Sequence, residues 1–251
     1  CAANNLVSYM VIAGGGGGGG YYSAGGGGAG GYREVVSPTS PYTGSPTEGY
    51  PTPGNRITVT ATGFPIVVGA GGAGGTSGPT CAAVGDNSSF STITSAGGGI
   101  GGGYPGKNGG AGGSGGGGAG HSASTTGGAG DTPPTTPAQG NTGGNAASPS
   151  AGQSGAGGGG ATACGSNSVN PGSPAFTPRA AGATTSISAT PTEYAQGGRG
   201  ATDAADPPLA GGDNTGTGGD GAGNCTAGPP PAANYGQNGG SGIVIIRYKF
   251  Q

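Results

Sequence analysis

An unbroken run of seven glycines, Gly14 to Gly20, follows an apolar segment, Val7-Ser8-Tyr9-Met10-Val11-Ile12. A second apolar segment, Ile243-Val244-Ile245-Ile246-Arg247-Tyr248, follows Gly239-Gly240-Ser241-Gly242 at the other end. Glycine fills 70 of the 251 positions. An ordered glycine gives up more backbone entropy than any other residue, so this chain orders only if a cooperative interaction offsets that loss. A flexible tether has no use for a hydrophobic strand at each end, whereas an ordered scaffold does. The two segments are expected to be neighbours in one sheet, bringing the chain ends together.

Such composition without a sustained Gly-X-Y register argues against a collagen triple helix and defaults to disorder. Disordered chains, however, usually carry high net charge. Here 6% of residues are charged and the net charge is -2, so self-repulsion contributes little solubility and the chain must order or aggregate. Seven basic against nine acidic residues leave no electrostatic footprint for nucleic acid. No apolar run approaches the roughly 18 residues of a membrane span, so no membrane insertion is expected. The sequence opens on Cys1 with no leader pattern, which reads as a processed or truncated product.

Strand signals are few and widely spaced. They fall near 7–12, 57–68, 88–93, 184–188 and 243–250 of one glycine-rich β-domain covering 1–251. Glycine and 21 prolines break any helical period. The fold class is therefore all-β, a small antiparallel β-sandwich with essentially no α-helix. Four glycine-bearing inserts separate the strands, at 14–56, 69–87, 97–183 and 195–241, each mixing Gly/Ala runs with turn-forming clusters. A glycine rod with three residues per turn and no internal hydrogen bonds would span roughly 22 Å over seven residues. Its N–H and C=O groups point outward and must pair when buried. Without Cβ atoms, neighbouring rods approach closely enough to pair backbone to backbone, with Cα–H···O contacts adding a little. The inserts are thus expected to form a polyglycine II helix bundle anchored by the β unit.

Chemistry-bearing constellations are sparse. Gly-x-Gly-x-x-Gly matches are automatic in such a chain, and the one Gly-Lys pair, Gly106-Lys107, is followed by Asn108 rather than Ser or Thr. The lone His121 has no nucleophile elbow to serve. Asp203, Asp206, Asp213 and Asp220 share one insert and read as turn residues, since Gly218-Gly219-Asp220-Gly221 is only a fragment of a calcium repeat. No cysteine has a ligand at metal spacing. No catalytic residue, metal or cofactor is expected, and the chain reads as a non-enzyme. Cys81, Cys164 and Cys225 are possible disulfide partners in long loops, with free thiols as the alternative. Tyr21, Tyr22, Tyr32, Tyr42, Tyr50 and Tyr104 sit in or beside Gly- and Pro-rich inserts. Rigid aromatic faces among small polar residues suit contact with a receptor, and equally suit covering the bundle. Tyr9, Tyr194 and Tyr248, in or beside strands, read as structural. The segments 37–53, 121–151, 165–180, 202–210 and 225–235 are the expected exposed loops. Asn87-Ser88-Ser89 and Asn224-Cys225-Thr226 fit the glycosylation acceptor pattern.

The order of motifs resembles the glycine-rich domain of phage tail-fibre and adhesin proteins. Ser8-Tyr9-Met10-Val11-Ile12-Ala13-Gly14-Gly15-Gly16 resembles its opening, Ile66-Val67-Val68-Gly69-Ala70-Gly71-Gly72 a second signature, and Gly85-Asp86-Asn87-Ser88-Ser89-Phe90 a third. The ending, Gly239 to Tyr248, is the most specific. The resemblance implies a virion-surface, extracellular protein with stacked polyglycine II helices whose loops meet a host-surface glycan or protein. It also implies other virion subunits as partners and a homo-oligomer, trimeric by analogy. Proline-rich inserts such as Asp131 to Pro137 depart from that pattern. The alternative expectation is a purely structural capsid-decorating, fibre or filament subunit with no receptor of its own.

Overall fold

The computed structural model describes residues 5–76, 82–120, 124–147, 154–168, 177–201, 207–223 and 235–249. Eight short strands occur in this order: β1 Ser8–Ile12, β2 Tyr32–Val35, β3 Ile66–Val67, β4 Ser88–Phe90, β5 Ile93–Ser95, β6 Ala183–Thr185, β7 Thr192–Tyr194 and β8 Ile243–Arg247. They form antiparallel sheets β2-β1-β8, β3-β4-β5 and β6-β7. No α-helix occurs among the described residues, and Pro53–Asn55 makes a 3₁₀ turn.

β1 and β8 are neighbours, with Tyr9 opposite Ile246 and Ile12 opposite Ile243. All five residues of β1 are buried, because the sheet is covered on both faces. Met10 and Ile12 join Tyr32, Ala183, Ile187 and Tyr194 on the β6-β7 side, with Ile243 and Ile245 packed against them. Val7, Tyr9 and Val11 join Ile57, Phe90 and Ile93 on the β3-β4-β5 side, with Val244 and Ile246 beside them. Strand alternation thus splits one apolar segment between two cores, and a one-residue slip would exchange them. Tyr9 and Phe90 meet edge to face at 5.7 Å.

The remaining strand expectations hold with revised limits. Within 57–68 only Ile66–Val67 is a strand; Thr58 forms a single bridge with Leu6. The segment near 88–93 is a hairpin, reversed at Ser91, whose φ is 55°. β8 ends at Arg247, so Tyr248 lies beyond it and is 68% exposed, unlike the structural role expected of it.

The inserts are ordered by lateral backbone hydrogen bonds whose direction repeats every third residue. In the 14–20 rod, Gly14 and Gly17 donate to Asp86 and Ala83, Gly15 and Gly18 to Gly240 and Gln237, and Gly16 and Gly19 to Gly28 and Gly25, all at 2.9–3.0 Å. The carbonyls of the same rod accept from Gly98 and Gly101, from Gly72 and Gly75, and from Gly219 and Ala222. This rod therefore has six neighbours, three that accept from it and three that donate to it. The 24–31 rod is surrounded the same way, by 216–222, 96–102, 156–159, 13–19, 114–117 and 198–201. Every N–H of residues 14–19 and 24–31 thus finds a backbone carbonyl.

Close approach at this density excludes side chains. A Cβ on Gly14 would stand 1.9 Å from the Ala70 carbonyl oxygen, and one on Gly17 would stand 2.0 Å from that of Ala73. Rods alternate in direction between two ends. The strands lie at the end marked by Ala13, Gly31, Gly69, Ala96 and Gly242; Gly20, Ser23, Thr76, Tyr104, Gly120, Ala201 and Ala222 mark the other.

Candidate functional site

The end remote from the strands carries an aromatic cluster. Tyr21-Tyr22-Ser23 reverses the chain from the 14–20 rod into the 24–31 rod, with φ of 62° at Tyr21 and 49° at Ser23. Left-handed backbone at a tyrosine is uncommon and persists only where the surroundings enforce it. Here the rods on both sides are locked by lateral bonds. Tyr104 arrives from the 96–103 rod, and its N–H donates to the Gly20 carbonyl at 3.2 Å. Ring centroids lie 4.1 Å apart for Tyr21–Tyr22, 5.1 Å for Tyr21–Tyr104 and 6.4 Å for Tyr22–Tyr104. The first two pairs are edge to face, an arrangement favoured by the ring quadrupole. A hydrogen bond with Tyr22, then desolvation, moves the Tyr21 hydroxyl pKa upward. Tyr21 and Tyr22 are half-buried and Tyr104 is exposed. Three of the six expected contact tyrosines are thus assembled at one apex.

Of the other three, which lie at the strand end, Tyr32 is buried and Tyr42 and Tyr50 are half-buried. Tyr32 is 2% exposed and donates to Glu34 Oε2 at 2.8 Å, while Tyr42 donates to Glu34 Oε1 at 3.0 Å. Ser45 N–H donates to Oε2 at 2.8 Å, and the Thr185 hydroxyl donates to Oε1. Glu34 is 2% exposed, and these four donors satisfy its carboxylate. Burial, then the Glu34 charge, holds the Tyr32 and Tyr42 hydroxyls above the ordinary tyrosine pKa. Tyr50 packs at the edge of the second core, with the Arg56 guanidinium 4.3 Å above its ring. Segment 37–53, expected as an exposed loop, exposes Pro38, Pro41, Thr43, Pro46, Pro51 and Pro53 while anchoring to the strand end through buried Ser37, Ser40 and Ser45, with the Ser8 and Ser40 hydroxyls bonded at 2.8 Å. Much of the other four expected loops lies outside the described residues; the described part, 124–147 above all, runs mainly as rods.

Sequence reasoning missed a buried charge hub. Asp220, expected in a turn, is wholly buried inside the rods. Its Oδ1 accepts from Arg199 N–H at 2.9 Å and pairs with Arg179 at 2.8 Å. Its Oδ2 accepts from Arg199 Nε at 2.7 Å and Leu209 N–H at 2.9 Å. Arg179 also reaches the Gly218 carbonyl at 3.2 Å, and burial lowers its pKa. The hub ties four rod segments together. The available signal was a concentration of charge in a chain otherwise poor in it: Arg179, Glu193, Arg199, Asp203, Asp206, Asp213 and Asp220 fall within one stretch. Asp213 is exposed in a turn, as expected; Asp203, Asp206 and His121 lie outside the described residues.

Cys164, held as a possible disulfide partner, is a free exposed thiol that accepts from the Thr142 hydroxyl at 3.4 Å. Cys81 and Cys225 lie outside the described residues. Among the described residues no group of three or more His, Cys, Asp or Glu is placed to hold a metal ion. Among them, too, no helix is long and apolar enough to cross a membrane.

A family model described as a glycine-rich domain matches residues 2–249. No curated protein and no solved structure matches the chain. The match spans nearly the full length, and the chain belongs to this glycine-rich domain family.

Proposed function

We propose that this glycine-rich domain is a non-enzymatic display module on a virion surface, a tail-fibre or adhesin component that presents the Tyr21-Tyr22-Tyr104 cluster to a host-surface glycan or protein. The observation that carries the reading is that cluster. Three rings from two chain reversals converge at the end of the bundle remote from the strands, on backbone fixed by lateral bonds. The motif order shared with phage tail-fibre domains supports the virion setting. The rods are read as polyglycine II helices, because a bonding direction that returns every third residue is that of a threefold screw. A net charge of -2 leaves recognition to shape, hydrogen bonds and aromatic contact rather than to electrostatic steering.

The test is attachment of the purified chain to whole bacterial cells and to arrayed bacterial surface polysaccharides. A Tyr22→Ala/Tyr104→Ala variant with an unchanged circular dichroism spectrum is expected to lose at least about tenfold in affinity. Undiminished attachment by that variant would overturn the reading. A second reading, a structural fibre or capsid-decorating subunit, is favoured by one observation: Ile66, Val67 and Val68 are half-exposed along an edge strand. Ordered polymers that ignore cells would select it.

A further inference from the structure

The sheet β2-β1-β8 has one closed edge and one open edge. Successive residues of a strand turn their N–H and C=O groups to opposite sides. On the outer side of β2, Tyr32 N–H donates to the Gln139 carbonyl at 2.8 Å, and the Glu34 carbonyl accepts from Gly49 N–H at 2.8 Å. Just past β1, Ala13 donates to Gly31, so Tyr9 and Val11 bond to β2, while Ser8, Met10 and Ile12 bond to β8. Arg247, Ile245 and Ile243 therefore turn toward β1, and Val244 and Ile246 turn outward. The outward N–H and C=O groups of Val244 and Ile246 have no backbone partner among the described residues.

The second sheet opens on the same flank. β5 packs over β2 and β1, and β4 over β1 and β8, which carries β3 past β8. Gly242, entering β8, donates to Gly69, leaving β3, at 2.9 Å. Ser91 N–H donates to the Pro65 carbonyl, so Pro65 and Val67 face β4, and Ile66 and Val68 turn their backbone groups outward. The side chains of Ile66, Val67 and Val68 are 50–55% exposed. No charged residue lies between Ile57 and Gly85 or between Ser241 and Ile246. Native proteins usually blunt such edges with charge, proline or cover.

We infer that this flank is where a second copy of the chain docks, β8 against β8 about a two-fold axis. Antiparallel pairing centred on Ile245 sets Val244 opposite Ile246 of the second copy, and each exchanges both backbone bonds with its opposite. Arg247 then falls opposite Ile243, so like charges do not meet. Lys249 falls opposite Ser241, whose hydroxyl accepts from Asn214 N–H at 2.8 Å beside the exposed Asp213. Opposite charges thus meet at both ends of the contact, which favours this strand's own copy over an uncharged extended segment. β8 leaves the rods at Gly242, so antiparallel pairing points the two rod bundles in opposite directions. The contact closes on itself as an isologous dimer. The inference is independent of what the tyrosine apex binds.

Sedimentation of the purified chain across a concentration series, paired with hydrogen exchange, tests it. Association is expected to rise with concentration and to stop at the dimer. The Val244 and Ile246 amides, open in the monomer, are expected to become protected as it does. Val244→Pro removes an outward N–H and leaves the bonds to β1 in place, because proline is tolerated where an edge strand faces solvent. It is expected to weaken association at least about tenfold while melting close to the parent. Val68→Lys, which brings a charge to the exposed flank, provides a second variant should the first fold poorly. A wild-type chain that stays monomeric throughout, or that grows into open polymers, would overturn the inference. So would association that leaves both amides unprotected, or that a folded flank variant does not weaken.

Discussion

Gly158 lies against Gly27 with no space for a methyl group: a Cβ on Gly158 would stand 2.0 Å from the Gly27 carbonyl oxygen. The adjacent Gly157 is different, since its nearest non-neighbour atoms, Pro178 O and Ser166 N, would be 3.3 Å from an added Cβ. Gly158→Ala is therefore expected to cost about 3 kcal/mol or more, by forcing two rods apart. Gly157→Ala trades a small steric adjustment against lower unfolded-state entropy and is expected to stay within about 1 kcal/mol of wild type. Paired chemical denaturation curves check the contrast, and equal losses would refute the close-packed description.

Asp220→Asn should destabilise the bundle by about 3 kcal/mol, because Arg179 and Arg199 would face a neutral group in a largely dry setting. The guanidinium side chains keep 20% and 17% exposure, which places the loss at the low end for a broken buried pair. Urea unfolding of the variant measures it; a change below the experimental scatter would mean that the rods hold without the hub.

Stability should fall in alkali. Burial raises the Tyr9, Tyr32 and Tyr42 hydroxyls in the folded chain, with the Glu34 charge adding for the latter two. Unfolded tyrosine ionises near pH ~10. Above that value the unfolded chain sheds protons that the folded chain retains, so their contribution is complete below it and lost as pH rises further. Melting temperature is expected to drop steeply above about pH 10, and Tyr42→Phe should make the drop shallower. A flat profile would contradict the burial of these groups.

Hydrogen exchange ties the rods to the strands. Val11 is fully buried between sheets, and Val11→Asp places an unpaired charge there. The amides of Gly15 to Gly18 are expected to lose protection together with those of β1 and β8. Persisting protection in the rods would show that they stand without the strand end.

The terminal strands were legible because apolar residues with a buried role leave few other readings. β2 was not, since Tyr32-Arg33-Glu34-Val35 carries two charges, and Glu34 turns inward only because Tyr32, Tyr42, Ser45 and Thr185 converge on it from distant segments. Ile57 to Thr60 alternates like a strand yet, among the described residues, forms one isolated bridge, Thr58 with Leu6, closed by Val7 N–H to Ile57 O and Val59 N–H to Asn5 O. Flanking composition does not tell a ring that covers a rod end, such as Tyr104, from Tyr32 and Tyr42, which the buried Glu34 carboxylate draws to the strand end. One signal was there to be used. The 69–76 rod carries Ala70, Ala73 and Thr76 at every third position, all exposed, while the fully surrounded 14–20 rod is pure glycine. Side-chain spacing thus reports how many neighbours a rod has.

The threefold repeat of bonding direction also constrains inheritance. A single-codon insertion within the 14–20 rod would rotate every later donor onto the wrong neighbour, whereas three codons restore the original facing. Viable length variants in such a chain are therefore quantised, and a lengthened segment must be matched by its antiparallel mate across the same reversal.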